Sequence, residues 1–358
     1  MIKMNSLNLG IGAWINLAKV LKSGQLVSGP FVTKFENDFS SIVEQRDSIS
    51  VNSGTSALHL MLLAAGIGAG DEIIVPSFSF AATANAVSLT GATPIFADIE
   101  LDYYCIDPDG LEKLITPKTK GIMVVHLFGH PANMSRIQKT AAKYKIHVFE
   151  DAAQAHGASL TDKPVGTFGL AAAFSFYATK NVTSGEGGMI VTADPILARR
   201  VKLLRNQGME KRYKNEIVGL NNRLSDLHAA IGVAQFKKLT KNTKRRIANA
   251  NYYNKYLEVV LKPKVMAGAV HVFHQYTIRV NEREKVVEAL NQLGIEVGIY
   301  YPIPIHKLES FNTHQVLPNT EIMAKECLSI PIHPDLTKRE LRRIVKSLNL
   351  ITKRLADG

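Results

Sequence analysis

Lys180 stands where a lysine could act as a covalent nucleophile. It follows an apolar run, residues 171–176, that predicts a buried strand, and it precedes the glycine-rich turn Gly185-Glu-Gly-Gly188, which leads into a strand predicted over residues 188–192. A lysine at the end of a buried strand is costly to keep charged without partners, and its amine can form a Schiff base with a carbonyl. The alternative is a lysine whose ammonium group reaches solvent, which this segment alone favours.

A cluster of polar side chains follows another buried strand, predicted over residues 146–149. Glu150, Asp151, Gln154 and His156 come directly after it. Ligands of open α/β sheets bind at the carboxyl ends of strands, and a buried carboxylate requires a cationic partner or several N–H donors. The protonated ring nitrogen of a cofactor would serve as that partner. The alternative is an acidic cap on the next helix, but we favour a functional site because the apolar strand leads straight into the polar cluster.

A third segment has the character of an anion site. Asn52-Ser-Gly-Thr-Ser56 joins a strand predicted over residues 48–51 to a helix predicted over residues 57–65. The free N–H groups and the positive dipole end at the start of a helix attract anions. Ordinary N-capping by Ser53 or Thr55 is the alternative. The segment is not a Walker A loop, because no Gly-Lys-Ser/Thr follows.

Two aromatic residues, Phe78 and Phe80, follow the strand predicted over residues 71–76. An aromatic ring near a strand end is able to stack on a planar ligand. Membership of the hydrophobic core is the alternative, and the sequence alone favours it at least equally.

The elements that position these residues form an α/β pattern. Strands alternate with helices from residue 48 to residue 192, which predicts a largely parallel sheet. The composition changes near residue 240, so we predict a large domain over residues 1–239, including an N-terminal arm, and a smaller α+β domain over residues 240–358. The elements predicted for the smaller domain are a basic helix at 241–261, strands at 269–280 and 295–301, and helices at 282–293, 321–328 and 338–355.

Composition excludes several other classes of protein. The chain has 358 residues, a formal net charge of +12 and two widely separated cysteines, Cys105 and Cys327. The sequence has no cysteine spacing typical of metal sites and no basic motif interleaved with aromatic residues. It also has no apolar run long enough to span a membrane. We therefore expect no metal site, no nucleic acid partner, no membrane partner and a cytoplasmic protein. The basic charge suits an anionic small substrate as well as it suits solubility.

Pyridoxal phosphate requires the combination found here: an amine, a carboxylate for its pyridine nitrogen, phosphate donors and a flat surface against its ring. The sequence also resembles, over nearly its whole length, the DegT/DnrJ/EryC1/StrS group of sugar aminotransferases. Seven segments carry the resemblance: Ser53-Gly-Thr-Ser-Ala-Leu58, Pro76-Ser-Phe-Ser-Phe-Ala-Ala-Thr83, Glu150-Asp-Ala-Ala-Gln-Ala-His-Gly157, Phe174-Ser-Phe-Tyr-Ala-Thr-Lys-Asn181 with Gly185-Glu-Gly-Gly188, Gly219-Leu-Asn-Asn-Arg-Leu-Ser-Asp-Leu-His-Ala-Ala-Ile-Gly232, Tyr300-Tyr-Pro-Ile-Pro-Ile-His306 and Leu328-Ser-Ile-Pro331.

The resemblance implies the aspartate aminotransferase-like fold, type I, and pyridoxal 5'-phosphate as cofactor. It also implies a role for each matching residue. Lys180 would form the Schiff base and then shuttle the proton, Asp151 would pair with the pyridinium nitrogen, and Gln154 would contact the ring hydroxyl. Phe80 would lie against the ring.

The resemblance further implies a homodimer with shared active sites. Thr55, Ser56 and Ser175 would hold the phosphate of their own subunit, and Asn221 would reach the phosphate of the neighbouring subunit. Arg223 and His306 would be substrate contacts, also across the interface.

Three positions bear on how far the resemblance extends. A small subset of the family has histidine at the lysine position and dehydrates a sugar, which Lys180 argues against. Ala178 stands where proline is common, with no expected effect on the chemistry. Asn222 stands where an aromatic residue is frequent, so the substrate contacts near it are open.

The expected reaction is the transfer of an amino group from an amino acid donor, L-glutamate, to a nucleotide-linked keto-sugar. The keto group would be at C4 or C3 of a deoxyhexose attached to dTDP, UDP or GDP. Two alternatives stay open: a cyclitol aminotransferase or dehydratase of the same family, and a catalytically silent cofactor-binding sensor. The intact set of Asp151, Gln154, Ser175 and Lys180 argues against the sensor.

Overall fold

The computed structural model describes residues 1–357. The helices are α1 Ile11–Ser23, α2 Pro30–Ser40, α3 Gly54–Ala64, α4 Ala82–Ser88, α5 Met134–Tyr144, α6 Pro195–Leu204, α7 Asp226–Phe236, α8 Leu239–Tyr256, α9 Arg283–Gln292, α10 Pro318–Glu326 and α11 Lys338–Asp357. The strands are β1 Asp47–Val51, β2 Glu72–Pro76, β3 Thr93–Ala97, β4 Thr119–Val125, β5 His147–Asp151, β6 Ser159–Leu160, β7 Lys163–Pro164, β8 Ala171–Ser175, β9 Gly188–Thr192, β10 Met209–Lys211, β11 Lys214–Asn215, β12 Ala269–Val270, β13 Tyr276–Arg279 and β14 Cys327–Ile330.

A seven-stranded sheet forms the centre of the molecule, in the order β1-β9-β8-β5-β4-β2-β3. All neighbouring strands pair in parallel except at β9, which is antiparallel to both β1 and β8. The mixed, mostly parallel sheet predicted from the sequence is therefore confirmed. Its carboxyl edge brings the ends of β1, β2, β5 and β8 together, which is where the predicted functional segments begin.

Helices cover both faces of this sheet because its strands are apolar on both sides. One face packs against α3, α4 and α6, and the other packs against α5, α2 and α7. A cluster of aromatic rings, Phe35, Phe39, Phe174 and Phe176, fills the second face. The strands that carry the site residues are thus held by core packing on both sides.

The part of the chain after residue 239 differs from the prediction in four places. The helix expected at 241–261 is α8, which ends at Tyr256. Residues 295–301 make only isolated bridges, at Ile295 and Gly298, and the helix expected at 321–328 ends at Glu326, where β14 begins. The single strand expected at 269–280 is divided into β12 and β13. Phe273 between them has a φ of 45°, which breaks an extended strand, and the N–H groups of residues 272 and 275 donate to the loop at residues 128–129.

The start of the chain joins this C-terminal part. Ile2 is buried in the core formed by α8, α9, α11, β13 and β14, and its N–H donates to the carbonyl of Gly294 at 2.8 Å. Residues 11–23 then form α1, which packs against α7. The division into domains at residues 239 and 240 stays a prediction. Among residues 1–357, no helix is both long enough and apolar enough to cross a membrane.

Glu150, one of the two carboxylates at the end of β5, holds the loop between β7 and β8. Its oxygens accept hydrogen bonds from the N–H groups of Gly166, Phe168 and Gly169 at 2.7–2.8 Å and from Nε2 of His126 at 3.0 Å. Nδ1 of His126 accepts from the N–H of Ala132, so Nε2 carries the hydrogen. Burial raises the pKa of Glu150, but these donors outweigh it and hold the pKa below its ordinary value.

We predict that Glu150→Gln lowers the free energy of unfolding by about 3 kcal/mol, because an amide nitrogen would replace an acceptor among N–H donors. The free energy is measured by urea unfolding at neutral pH. Since the folded pKa is depressed, the stabilisation is present above the ordinary glutamate pKa and is lost as pH falls through the folded value. The difference between wild type and variant should therefore shrink in acid. Glu288→Gln on the exposed face of α9 is the control, and an equal loss in both variants would contradict the prediction.

Candidate active site

A cavity of about 550 Å³ opens at the carboxyl edge of the sheet. It contains most of the residues that the sequence assigned to one site, which lie far apart along the chain: Thr55, Phe80, Asp151, Gln154, Ser175 and Lys180. The parallel strands β2, β5 and β8 end side by side, and β1 leads into the start of α3 at the same edge. The sheet topology therefore assembles these side chains.

Lys180 lies five residues beyond the end of β8, and its N–H donates to the carbonyl of Tyr177 at 2.9 Å. Burial lowers the pKa of the Lys180 amine from 10.5 to about 8, and the negative charge of Asp151 partly opposes that shift. The amine is therefore much closer to neutrality at physiological pH than an ordinary lysine is. A neutral amine is the nucleophilic form.

Asp151 is almost completely buried on the wall of the same cavity. Its Oδ2 accepts a hydrogen bond from the Thr83 hydroxyl at 2.8 Å, and its Oδ1 accepts one from the N–H of Ala153 at 3.2 Å. Burial raises the pKa of Asp151, while the hydrogen bond from Thr83, that from Ala153 and the charge of Lys180 lower it. An ionised carboxylate in this position is still short of a cationic partner, which a ligand could supply.

Thr83 is a site residue that the sequence analysis did not identify. Because its single hydroxyl hydrogen goes to Asp151, the Ser79 hydroxyl, 2.9 Å away, must donate to Thr83. Thr83 and Ser79 lie at the start of α4 and in the loop before it. The segment from Pro76 to Thr83 was noted for its aromatic residues, and a buried threonine gives no distinctive signal in a sequence.

Gln154 has its amide orientation fixed by a backbone donor. The N–H of Phe128 lies 2.7 Å from the side-chain oxygen of Gln154, so the amide nitrogen faces the other way and donates to the Tyr301 hydroxyl at 3.1 Å. Burial raises the pKa of Tyr301, which keeps its hydroxyl neutral, and its own hydrogen is available for a ligand. Gln154 and Tyr301 therefore present N–H and O–H donors at the cavity.

The start of α3 forms the opposite end of the cavity. The Ser53 hydroxyl accepts from the N–H of Ser56 at 3.1 Å and donates to the Ser56 hydroxyl at 3.0 Å, so Ser53 is the N-cap and Ser56 lies behind it. A methyl group at Gly54 would lie only 2.7 Å from Cβ of Ser175, so glycine is what lets the helix start approach β8. Ser53, Gly54, Thr55 and Ser175 thus offer hydroxyl and N–H groups to an anion.

Two members of the polar cluster after β5 lie outside the cavity. Successive residues of a strand point to opposite faces of a sheet, so Glu150 faces away from Asp151 and makes the structural hydrogen bonds described above. His156 is buried against Phe39, Phe174 and Phe176, and burial lowers its pKa to about 3. Of the two carboxylates and the imidazole considered together in the sequence, only Asp151 lines the cavity.

Three further predicted site residues do not line this cavity. Asn221 is exposed and pairs with Asn206. Arg223 lines a separate cleft, where its Nη1 donates to the Asn206 side chain at 2.9 Å. His306 is fully buried, with Nδ1 2.6 Å from the Ser77 hydroxyl and Nε2 3.6 Å from a Glu321 oxygen. The roles assigned to these residues, all of them across a subunit interface, stay predictions.

The residues of the cavity fit pyridoxal phosphate. Asp151 is a buried carboxylate that needs a cationic partner, Lys180 is an amine of lowered pKa, and the start of α3 offers phosphate donors. Phe80 is 59% exposed, and its ring centroid lies 5.9 Å from that of Tyr301 with the ring planes tilted by 38°, so it offers a flat surface to a ligand. Within residues 1–357, no group of His, Cys, Asp or Glu side chains is arranged to hold a metal ion. The fold and the site together define a fold type I enzyme that depends on pyridoxal phosphate.

Comparison with known proteins identifies the family. The model of the DegT/DnrJ/EryC1/StrS aminotransferase family matches residues 14–349, and the chain belongs to this family. It is 40% identical to a UDP-N-acetyl-3-dehydro-alpha-D-glucosamine 3-aminotransferase of Acidithiobacillus ferrooxidans, over 92% of this chain and 90% of that one. It is 38% identical to a protein of Geobacillus stearothermophilus named a pleiotropic regulatory protein, over 93% and 92% of the two chains.

A solved structure agrees with the fold as a whole. The crystal structure of DesV from S. venezuelae, in complex with a ketimine intermediate, superposes with a TM-score of 0.94 at 36% identity and covers 99% of this chain and 100% of that one. The predicted family, fold class and cofactor are therefore confirmed, and the protein is an aminotransferase that uses pyridoxal phosphate.

We predict that the Lys180 amine of the cofactor-free protein titrates near pH 8. The measurement is an NMR titration after reductive ¹³C-methylation of the lysines, with Lys180→Arg identifying the resonance. Asp151→Asn should move the midpoint lower, because the negative charge of Asp151 stabilises the ammonium form. A midpoint close to that of an ordinary lysine in wild type would contradict the burial argument.

We also predict that Tyr301→Phe weakens binding of pyridoxal phosphate about fivefold, the size of one neutral hydrogen bond, because the Gln154 amide loses its acceptor. Affinity is measured by titrating the cofactor into the cofactor-free protein and following protein fluorescence. Tyr300→Phe is the matched control, since Tyr300 also lines the cavity but makes no hydroxyl hydrogen bond within residues 1–357. Equal affinities in the two variants would show that Tyr301 does not position Gln154.

Proposed function

We propose that this protein is a sugar aminotransferase that moves an amino group from L-glutamate to the ketone of a nucleotide-linked sugar. The ketone is at C3 or C4 of a deoxyhexose carried by dTDP, UDP or GDP. The observation that carries the proposal is the pairing of Lys180 and Asp151 in one cavity, in a chain 40% identical to a 3-aminotransferase of a UDP-linked sugar. The formal net charge of +12 suits a substrate that carries a diphosphate.

The proposed chemistry assigns proton transfer to Lys180. Pyridoxal phosphate, when bound, supplies the carbonyl carbon and the electron-withdrawing ring. Lys180 would hold the cofactor at that carbon through its amine, and the same amine would carry the proton during the transfer. In the cofactor-free protein, burial lowers the pKa of the Lys180 amine to about 8, so both its ammonium and its neutral form are accessible near neutral pH.

The other cavity residues hold the ring in place. Asp151, which accepts hydrogen bonds from Thr83 and Ala153, would keep the proton on the ring nitrogen. Gln154 donates to the ring hydroxyl from an amide whose orientation Phe128 and Tyr301 fix. Phe80 lies against the ring face. The phosphate would be held by Thr55 and Ser56 at the start of α3 and by Ser175 at the end of β8; of these, Thr55 and Ser175 line the cavity.

A homodimer with shared sites completes the proposed enzyme. The exposed position of Asn221 supports its assignment to the phosphate of the partner's site. Large apolar side chains are also exposed on α1, at Ile11, Trp14 and Leu21, which supports an interface along this helix. We expect the dimer to be cytoplasmic.

A second candidate function is a sensor that binds the cofactor without turnover. The relative named a pleiotropic regulatory protein favours it. The pKa of Lys180 near 8 and the hydrogen-bonded Asp151 argue for a reactive site instead. The cyclitol aminotransferase and dehydratase alternatives share these residues; the first differs in the substrate and the second in the reaction.

The test is the half-reaction with the amino donor. We predict that L-glutamate converts the visible absorbance of the cofactor-loaded protein to that of the aminated cofactor, and that a nucleotide keto-sugar restores the original spectrum. Lys180→Ala should lower the rate by at least about a thousandfold, because it removes both the nucleophile and the proton-transfer group. Lys34→Ala, which removes an exposed lysine paired with Asp38, is the control.

Three results would count against the proposal. Near-normal turnover by Lys180→Ala would contradict the proposed role of Lys180 as nucleophile and proton-transfer group. No spectral change with L-glutamate, in protein that carries the cofactor, would favour the sensor or another donor. A cyclitol ketone that restores the spectrum when nucleotide keto-sugars do not would replace the sugar assignment.

A further inference from the structure

One histidine of the catalytic cavity has no role in the site described above. His274 follows the break at Phe273 and lines the same cavity as Lys180, although only 4% of its surface is exposed. Several other histidines are buried in residues 1–357, but His274 is the one that lines this cavity. An imidazole nitrogen either donates or accepts a hydrogen bond, so the tautomer of the ring decides what His274 offers to the cavity.

The side chain of Asn181, the residue after Lys180, fixes the tautomer of His274. The carbonyl of Val272 can only accept a hydrogen bond, and the amide nitrogen of Asn181 lies 3.5 Å from it. The amide oxygen of Asn181 therefore faces the histidine ring, where Nδ1 of His274 lies 3.3 Å away and has to donate. In the neutral ring, Nε2 then carries a lone pair and no hydrogen.

The ring of His274 is neutral at physiological pH. Burial lowers the pKa of His274 well below its ordinary value, and the positive charges of Lys180 and Arg246 lower it further. Nε2 of His274 has no hydrogen-bond partner in the described part of the chain, yet it is not enclosed as both ring nitrogens of His156 are. Nε2 is therefore an unpaired acceptor that opens onto the cavity.

Hydrogen bonds on two sides hold His274 in this position. Nη1 of the buried Arg246 donates to the carbonyls of Phe273 and His274 at 3.1 and 3.3 Å, which fixes the backbone. The bond from Nδ1 to Asn181 fixes the ring and ties it to the residue that follows Lys180. The position of the imidazole is therefore coupled to the segment that carries the reactive lysine.

A histidine that only fills the core is the simpler explanation. His156 is such a residue, because it is fully buried among aromatic rings and does not line the cavity. That explanation does not fit His274, whose free acceptor opens onto the cavity that contains the Lys180 amine. This amine makes no hydrogen bond within residues 1–357, so an unpaired donor and an unpaired acceptor line one space.

Other titratable groups surround the pair. Those that also line the cavity are Asp151, Tyr177, Glu186, Tyr300 and Tyr301. Behind His274 lie Arg246, His156 and His271, which all lower its pKa. Among these groups, it is the charge of Asp151 that acts on the pKa of Lys180 and favours its ammonium form.

We propose that His274 is a positioning residue whose Nε2 accepts a hydrogen bond from the ammonium form of Lys180. The inference rests on the proposed role of Lys180 as the proton-transfer group. An ammonium group has three N–H donors, and a buried one is costly unless acceptors meet them. The bond to Nε2 would hold the amine in one orientation while it carries the proton. The proton stays on Lys180, because the buried imidazole is the weaker base.

The first test is the NMR titration of Lys180 in the cofactor-free protein. An acceptor stabilises the ammonium form and raises the midpoint, so its removal lowers the midpoint. His274→Phe keeps a ring and removes the acceptor, and the Lys180 midpoint should fall by at least about one pH unit, the size of one charge-assisted hydrogen bond. His274→Gln should return the midpoint toward that of wild type, because a glutamine amide oxygen can reach the place of Nε2. His156→Phe, which removes a buried imidazole outside the cavity, is the control and should titrate as wild type does.

The second test is the half-reaction with L-glutamate in the cofactor-loaded protein. His274→Phe should lower its rate constant at least about tenfold near neutral pH, because the amine that carries the proton is no longer held. The half-saturating glutamate concentration should not change, and His274→Gln should restore most of the rate.

An unchanged Lys180 midpoint in His274→Phe overturns the proposal, including when only the half-saturating glutamate concentration rises, since Nε2 would then contact the substrate. If His274→Phe does not fold, His274→Asn takes its place with the same expectation, because asparagine can donate to Asn181 and has no group at the place of Nε2. The titration needs neither cofactor nor substrate. A wild-type protein that performs the half-reaction, with an unmoved midpoint in the variant, refutes this inference alone. A wild-type protein without the half-reaction refutes the proposed function, and the titration still decides on His274.

Discussion

The site depends on two groups of opposite charge, Lys180 and Asp151, held largely out of water at the edge of the sheet. Burial disfavours the charged form of each group, and each charge favours the charged form of the other. Neither group has all its partners within residues 1–357, because Asp151 accepts hydrogen bonds only from neutral donors and the Lys180 amine makes no hydrogen bond there. A cofactor with a protonated ring nitrogen and a carbonyl would supply the missing partner of each. The sheet keeps these two groups out of solvent and places them in the same cavity.

Much of this arrangement could be predicted from the sequence, because strand ends leave a clear signal. The apolar runs before Asp151 and before Lys180 predicted β5 and β8, and parallel strands bring their carboxyl ends to one edge. The family resemblance then assigned a role to each matching residue. The sequence pattern could not show which of the residues near Asp151 point to the same face of the sheet. Glu150 and His156 are close to Asp151 in the sequence. However, Glu150 accepts hydrogen bonds from the loop before β8, and His156 lies among aromatic rings.

The site residues that the sequence analysis did not identify act by positioning other site residues. Thr83 and Tyr301 hold Asp151 and Gln154 through single hydroxyl groups, and such partners are set by tertiary contacts far apart in the chain. The C-terminal part was also harder to predict, because its short strands are interrupted where backbone groups pair with the loop at residues 128–129. The break at Phe273 is what brings His274 and Gln275 to the cavity wall. A continuous strand, as expected from the run of β-forming residues, would have carried them elsewhere.

The first residues of the chain connect two parts of the molecule. Ile2 is buried in the core formed by α8, α9, α11, β13 and β14, and α1 packs on α7 beside the large sheet. Between them, residues 5–8 line a cleft that meets the catalytic cavity at Thr179 and Lys180. A change at the N-terminus that displaces Ile2 from its core would therefore also disturb residues that share a cleft with the reactive amine.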